Sequence, residues 1–265
     1  MTEETKMDWC CIAVVNDMAV LEANLAVSPA LVADSERLIL LRNQSSASIA
    51  YNAGLDATTA RICVFAHQDI YLPKGWEGRL AEQVAQLDRF HPDWAVAGLF
   101  GVDCDNVHVG RVWDGGLDKE LGRSFERPVD IQSIDELIII LNRDKKIRFD
   151  CSLPSFHLYG TDIVQTALSA GYGAFVIHAP VIHNSVLVAG LHGGFMRAYD
   201  YMRNKWWSYL PITTPVTRIT RSGIAARLKD LRRYQLNFRN RKRIDTARMA
   251  ERPDPQRIAR KLGYE

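Results

Sequence analysis

The sequence has no long hydrophobic run: its longest apolar stretches, Cys10 to Val15 and Ile138 to Leu141, fall far short of the ~18–20 residues that cross a bilayer. No membrane-spanning helix is expected. The N-terminal Thr2-Glu3-Glu4 lacks the basic region and small-residue cleavage site of a secretory signal, so a cytoplasmic protein is expected. Cysteine is sparse. Cys10, Cys11, Cys63, Cys104 and Cys151 make an odd number without a Cys-x-x-Cys pair, which argues against the usual zinc and redox spacings and predicts buried free thiols. Several enzyme signatures are missing too: Gly-x-Gly-x-x-Gly, Gly-x-x-x-x-Gly-Lys-Ser/Thr, Gly-x-Ser-x-Gly and His-Glu-x-x-His. The usual nicotinamide and flavin enzymes, P-loop proteins, serine hydrolases and zinc peptidases lose ground accordingly.

What remains is a chain of 265 residues, 47% hydrophobic and 24% charged, long enough for one large domain or two small ones. Its net charge of +2 conceals an asymmetry: residues 1–210 hold 18 Lys and Arg against 26 Asp and Glu, residues 211–265 hold 15 against 5. An acidic body (1–210) and a basic tail (211–265) are therefore expected as separate units.

Strand-like and helix-like segments alternate through the body, the pattern of a mostly parallel sheet flanked by helices. Strands are predicted at Trp9–Val15, Leu38–Leu41, Arg61–Ala66, Trp94–Phe100 and Phe175–Ile182, and apolar structure at Val129–Leu141. Helices are predicted at Met18–Ala33 with a break at Pro29, and at Ser48–Ala57, Trp76–Phe90 and Thr161–Ala170. Gly101 to Gly122 reads as a long segment that is either a functional loop or disordered. In the tail, Ile224, Leu228, Leu231, Tyr234 and Phe238 fall at helical spacing among cations, and Arg239 to Arg243 adds four more.

Ligands of open α/β sheets bind beyond the carboxyl ends of strands. Four strand ends carry polar groups: Asn16-Asp17, Arg42-Asn43, His67-Gln68-Asp69 and His183-Asn184-Ser185. The third is the sharpest, because a purely apolar strand delivers an imidazole and a carboxylate two residues apart, on one face if the strand persists. Such a pair can hold a divalent cation, with His183 as a further ligand. The plainer alternative is that Asp69 caps the turn before Pro73 and that the histidines are hydrogen-bonded. Asp162 has two readings as well, an ordinary acid at a helix start or a carboxylate that takes a proton from a hydroxyl nucleophile. His157 has no partner that spacing identifies.

Together these segments resemble family 2 glycosyltransferases of GT-A (Rossmann-like) fold, in the bacterial branch with His-Gln-Asp in place of Asp-x-Asp. The resemblance rests on Ser48 to Ala57, His67 to Pro73, Phe156 to Asp162 with the helix and Gly171 that follow, and His183-Asn184-Ser185. It runs from about Trp9 to Gly190. It implies a nucleotide-diphosphate sugar donor, a divalent metal (Mn²⁺ or Mg²⁺) and inverting transfer of a single sugar to an acceptor hydroxyl, in bacterial surface glycan synthesis. It assigns Asp69 and His183 to the metal, Asp162 to the base, and Asn16, Asp17, Asn43, Asn52, His67, Gln68 and Asp69 to the donor. Trp113 and His157 fall to the sugar or acceptor. His67 departs from the wider family's aspartate and leaves one fewer negative charge.

Two other functions compete. One is a catalytically inactive glycan- or nucleotide-binding module of the same fold; the other is nucleotidyl transfer, which lacks its glycine-rich basic loop after Asn16-Asp17. No nucleic-acid partner is expected. Residues 216–265, preceded by Trp206-Trp207 and Tyr209, would either dock on an anionic membrane surface carrying a lipid-linked acceptor, at the inner face of the plasma membrane, or pack on the acidic body.

Overall fold

A computed structural model describes residues 7–123, 125–186, 194–228 and 252–265. The chain opens with β1 (Trp9–Val14), α1 (Met18–Ala23), α2 (Pro29–Ala33) and β2 (Leu38–Leu41). There follow α3 (Ala47–Asp56), β3 (Ile62–Ala66), β4 (Ile70–Tyr71), α4 (Trp76–Phe90) and β5 (Trp94–Gly98). Five strands come next: β6 (Phe100–Asp103), β7 (His108–Asp114), β8 (Lys119–Arg123), β9 (Val129–Ile134) and β10 (Ile138–Asn142). Then come α5 (Tyr159–Ser169), β11 (Gly173–Val176), β12 (Val181–His183), α6 (Phe195–Lys205), the hairpin strands β13 (Ile212–Thr213) and β14 (Arg218–Ile219), and a C-terminal helix, Pro255–Lys261.

The main sheet runs β2-β1-β3-β10-β5-β11-β9-β6-β7-β12-β4, with β8 on β7. The α/β class and the flanking helices are as expected, but the sheet is mixed rather than mostly parallel. Among the described residues only β1–β2, β1–β3, β5–β11 and β7–β12 pair in parallel. β10 lies antiparallel between β3 and β5, a direction that a run buried on both faces does not reveal. Two other expectations change. Gly101 to Gly122 is not a loop but most of the antiparallel ribbon β6–β7–β8. Phe175–Ile182 splits into β11 and β12, with Pro180, which has no N–H to give a ladder, between them.

Burial follows the period of two along β3, all five residues of which are buried. Cys63 and Phe65 face a core built with Tyr51 of α3, Ile163 and Val164 of α5, and Tyr199 and Met202 of α6. Ile62, Val64 and Ala66 face a second core with Leu21 and with Trp76, Leu80, Val84 and Leu87 of α4. That spacing along α4 is the helical stripe read from the sequence. α3 starts where the Ser46 hydroxyl accepts the Ile49 N–H at 3.3 Å. All five thiols are free; Cys10, Cys11 and Cys63 are buried as expected, while Cys104 and Cys151 are exposed.

The division at residue 210 does not coincide with a break in packing. Ile212, Ile219 and Ala226 belong to the same core as α5 and α6, and the Ser133 hydroxyl donates to the Thr213 carbonyl at 2.8 Å. The C-terminal helix also lies against the body, where Ala259 and Tyr264 are fully buried beside Tyr71 and Ile182. Leu231, Tyr234, Phe238 and the Arg239 to Arg243 run lie outside the described residues. Among the described residues no helix is long and apolar enough to cross a membrane.

Helix α3 approaches β1 closely enough to need a glycine. A Cβ on Gly54 would stand 2.5 Å from Cγ2 of Ile12, a β-branched and fully buried side chain that cannot swing aside. Gly54→Ala should therefore destabilise the fold by about 1–3 kcal/mol, read as a lower midpoint in urea unfolding.

Candidate metal and nucleotide site

The carboxyl ends of β1, β2 and β3 open into a cavity of about 650 Å³ lined by Asn16, Arg42, Asn43, Gln44, Gln68 and Asp69 with Tyr51, His67, Phe156 and Tyr159 among others. Gln68 ties two of these ends together. Its Oε1 accepts the N–H groups of Asn16 (3.0 Å) and Asp17 (3.1 Å), and its Nε2 donates to Asn16 Oδ1 at 2.6 Å. Asn43 holds a left-handed backbone, φ 57°, which asparagine tolerates better than most residues.

At one side of the cavity β4 pairs antiparallel with β12, Ile70 opposite His183, and the Asn184 N–H donates to the Asp69 carbonyl at 2.8 Å. This backbone pairing brings His67, Asp69 and His183 together, with one ligand atom from each within 4.8 Å of the others. His183 Nε2 lies 3.5 Å from Asp69 Oδ1, and its Nδ1 lies 2.9 Å from Asp114 Oδ2. A proton on Nδ1 shared with Asp114 orients the ring and turns Nε2 toward Asp69, the arrangement that metal-binding histidines use. Asp114 is itself held by the Leu117 N–H (2.8 Å) and the Ser185 hydroxyl (3.3 Å). His67 Nε2 meets the Tyr159 hydroxyl at 2.9 Å.

The charges of this cluster are coupled. Burial alone would lower the His183 pKa, but the Asp69 and Asp114 carboxylates outweigh it and push the value up to about 10. Burial would raise the Asp69 carboxyl, yet His183, His67 and Arg252 hold it below the usual carboxylate range. His67 is lowered, chiefly by burial. Two imidazoles and a carboxylate fit a divalent cation that accepts nitrogen as well as oxygen, which suits Mn²⁺ better than Mg²⁺.

Other residues singled out in the sequence stand elsewhere. Asp17 caps α1, its Oδ1 accepting the Val20 N–H at 3.3 Å. Both ends of the Asn52 amide hold residue 149, accepting the Phe149 N–H (3.1 Å) and donating to the Phe149 carbonyl (2.8 Å), so Asn52 braces α3 and does not line the cavity. His157 packs edge-on against Phe195, ring centres 5.6 Å apart. Trp113, next to Asp114 on β7 and so on the opposite face of the strand, packs beneath the C-terminal helix with Ile258 and Leu262 and not over the cavity.

Asp162 also differs from expectation. Helix α5 begins at Tyr159, which puts Asp162 inside the first turn, where both its oxygens are engaged from α6. Lys205 Nζ stands 2.8 Å from Oδ1 and 2.9 Å from Oδ2, and Trp206 Nε1 donates to Oδ1 at 2.7 Å. The carboxylate is 2% exposed and burial raises its pKa against the pull of Lys205 and Trp206. The N–H groups of α5 find another acid: the Glu136 carboxylate accepts from Leu158 and Gly160, yet burial and nearby Asp135 push its pKa up to about 8. A Cβ on Gly160 would meet the Ile134 carbonyl oxygen at 2.9 Å and Glu136 Cγ at 3.2 Å, so Ile134 and this glutamate fill the space a side chain at 160 would take. Sequence reasoning missed Glu136, Asp114 and Tyr159, none of which carries a local signal; each acts through an element distant in the chain.

No protein-family model matches the chain. It is 26% identical over 160 residues to the ATP synthase subunits region ORF 6 protein of Fuscovulum blasticum, an alignment that covers 57% of this chain and 61% of that one. Among solved structures, GalNAc-T7 with UDP, GalNAc and Mn²⁺ is similar with a TM-score of 0.51 and 12% identity, over 77% of this chain and 49% of that chain. S. aureus TarS is similar with a TM-score of 0.47 and 13% identity, over 78% of this chain and 66% of its own. The chain thus spans about half the length of GalNAc-T7 and under two thirds of the curated relative. The likeness to GalNAc-T7 defines the architecture: the chain has the GT-A glycosyltransferase fold.

Two expected outcomes follow from the buried acids. Asp162→Asn leaves Lys205 with Asp150 alone, which Lys205 Nζ already meets at 2.8 Å, so a loss of about 1–3 kcal/mol is expected; an unchanged melting temperature would sink the bracing role. Glu136 titrates near 8 in the folded chain and near ~4.3 when unfolded. Between those values only the folded state keeps the proton, so this group's contribution to stability is full at low pH and declines as pH rises toward 8. Urea midpoints measured from pH 5 to 9 should show that decline in the wild type and a flatter profile in Glu136→Gln.

Proposed function

We propose that the protein is a metal-dependent glycosyltransferase that takes a nucleotide-diphosphate sugar in the β1–β3 cavity and passes its sugar to an acceptor hydroxyl. The observation that carries this reading is the His67–Asp69–His183 cluster at the edge of a nucleotide-sized cavity, in a fold shared with GalNAc-T7, whose solved structure holds UDP, GalNAc and Mn²⁺. His67, Asp69 and His183 would hold the cation, which supplies positive charge to the departing diphosphate. Asn16, Asn43 and Gln68 offer hydrogen-bonding groups to the nucleoside, and Tyr51, Phe156 and Tyr159 supply the apolar wall. Asp114 positions His183.

Inversion, transfer of one sugar per encounter and a place in bacterial surface glycan synthesis rest on the family 2 resemblance. In this reading Asp162 serves by bracing α6 rather than as the base, because an acid already bonded to a lysine and an indole is a poor proton acceptor. Of the described parts of residues 211–265, Ile212, Ile219, Ala226 and the C-terminal helix pack on the body, whereas Ile224 and Leu228 of the expected apolar stripe are exposed.

The test is calorimetric titration of UDP, GDP, CDP and dTDP into the full chain, with Mn²⁺ and again with chelator. Binding of one nucleotide that needs Mn²⁺ is expected, and binding of none would refute the reading. Asp69→Asn should abolish the metal-dependent part. Asp114→Asn, which loosens a metal ligand without removing it, should weaken Mn²⁺ binding by roughly 10- to 100-fold.

A further inference from the structure

The C-terminal segment returns to the metal cluster and sets a guanidinium on it. Arg252 Nη1 donates to the Asn184 carbonyl at 2.7 Å and stands 3.6 Å from Asp69 Oδ2, the oxygen opposite the one that faces His183. Of the five N–H donors of a guanidinium, these contacts use a minority, and the side chain keeps 23% of its exposure.

The segment that carries Arg252 is built into the fold. Asn184, itself 1% exposed, donates to the Pro253 carbonyl at 2.9 Å and to Asn24 Oδ1 at 2.8 Å. Downstream, fully buried Tyr264 donates to Glu120 Oε2 at 3.1 Å and lies under the Arg111 guanidinium, and Glu265 accepts from the Tyr71 hydroxyl at 2.9 Å. The backbone that carries the guanidinium is thus anchored beside the cluster.

Charge gives that placement a purpose. Asp69 and Asp114 together balance one divalent cation. Arg252 then leaves the loaded site with an excess of positive charge, next to the place where the metal's phosphate partners must lie. Guanidinium suits phosphate through paired N–H donors.

We propose that Arg252 binds the terminal phosphate of the nucleotide diphosphate, so that the C-terminal segment completes the donor site. The inference rests on the glycosyltransferase reading and names a residue for its diphosphate. With Asp69 engaged by a cation, the guanidinium donors not given to the Asn184 carbonyl would face the phosphate.

Calorimetry on the full chain with Mn²⁺ tests this, comparing each nucleoside diphosphate with its monophosphate in wild type, Arg252→Gln and Arg252→Lys. Arg252→Gln should weaken diphosphate binding roughly ten- to a hundredfold and leave the monophosphate within about twofold, with part of the loss restored by Arg252→Lys. Equal losses for mono- and diphosphate, or no loss, would overturn the proposal while wild-type binding still upholds the donor site. Wild type that binds no nucleotide removes both. Should Arg252→Gln melt below the assay temperature, Arg252→Lys decides alone: diphosphate binding weakened more than monophosphate binding supports the proposal, and equal weakening or none, with an intact melting temperature, overturns it.

Discussion

Two residue pairs of antiparallel backbone, β4 against β12, hold the site of this protein together. Ile70 opposite His183 and the Asn184 N–H on the Asp69 carbonyl bring a histidine from late in the chain within reach of the acid that ends β3. Remove that pairing and Asp69 is left with His67 alone, without His183 and without Asp114 behind it. The ladder is short, and it is supported from outside by Tyr71 and Ile182, which pack with the C-terminal helix. Hydrophobic burial at the end of the chain therefore supports the geometry of a polar cluster near its start.

The electrostatics follow from that geometry. Asp69 offers one oxygen to His183 and the other to Arg252, and Asp114 holds the far side of His183. Buried charges persist only when paired, and here the pairing partners of the acid are an imidazole and a guanidinium that a divalent cation can displace from it. The same logic governs the second buried acid, Asp162, with the opposite result. Lys205 and Trp206 satisfy it from α6, and no cavity residue competes for it. The two aspartates thus differ in use because Asp69 lines the cavity and Asp162 is enclosed by its partners.

Much of the fold was legible because it is written in local period. The purely apolar Ile62–Ala66 and its polar end, the stripe Trp76, Leu80, Val84 and Leu87, and the polar ends of β1 and β2 are all visible in a line of residues. Asn16, Asn43, His67, Gln68 and Asp69 meet in one cavity for that reason. Strand direction was not legible: β10 is buried on both faces, and such a run reads alike whether its neighbours run with it or against it. The ribbon β6–β7–β8 was missed because its glycines and aspartates resemble loop residues, although Gly110 and Gly122 are required where the strands cross closely, at φ 134° and 86°. Trp113 was misassigned since exposure to a ligand and burial under a later helix leave the same residue type in the sequence.

What the sequence by itself determined is the α/β alternation, the strand ends where polar groups emerge and the charge asymmetry between body and tail, all of which are properties of neighbouring residues. What only the tertiary structure decided is which of those polar groups share a site. Sharing depends on which strands pair and which helices cover them, and that is set by burial over the whole chain. Hence His183 stands with Asp69 while Asp162 faces α6, and a tail that reads as an appendage brings Arg252 to Asp69.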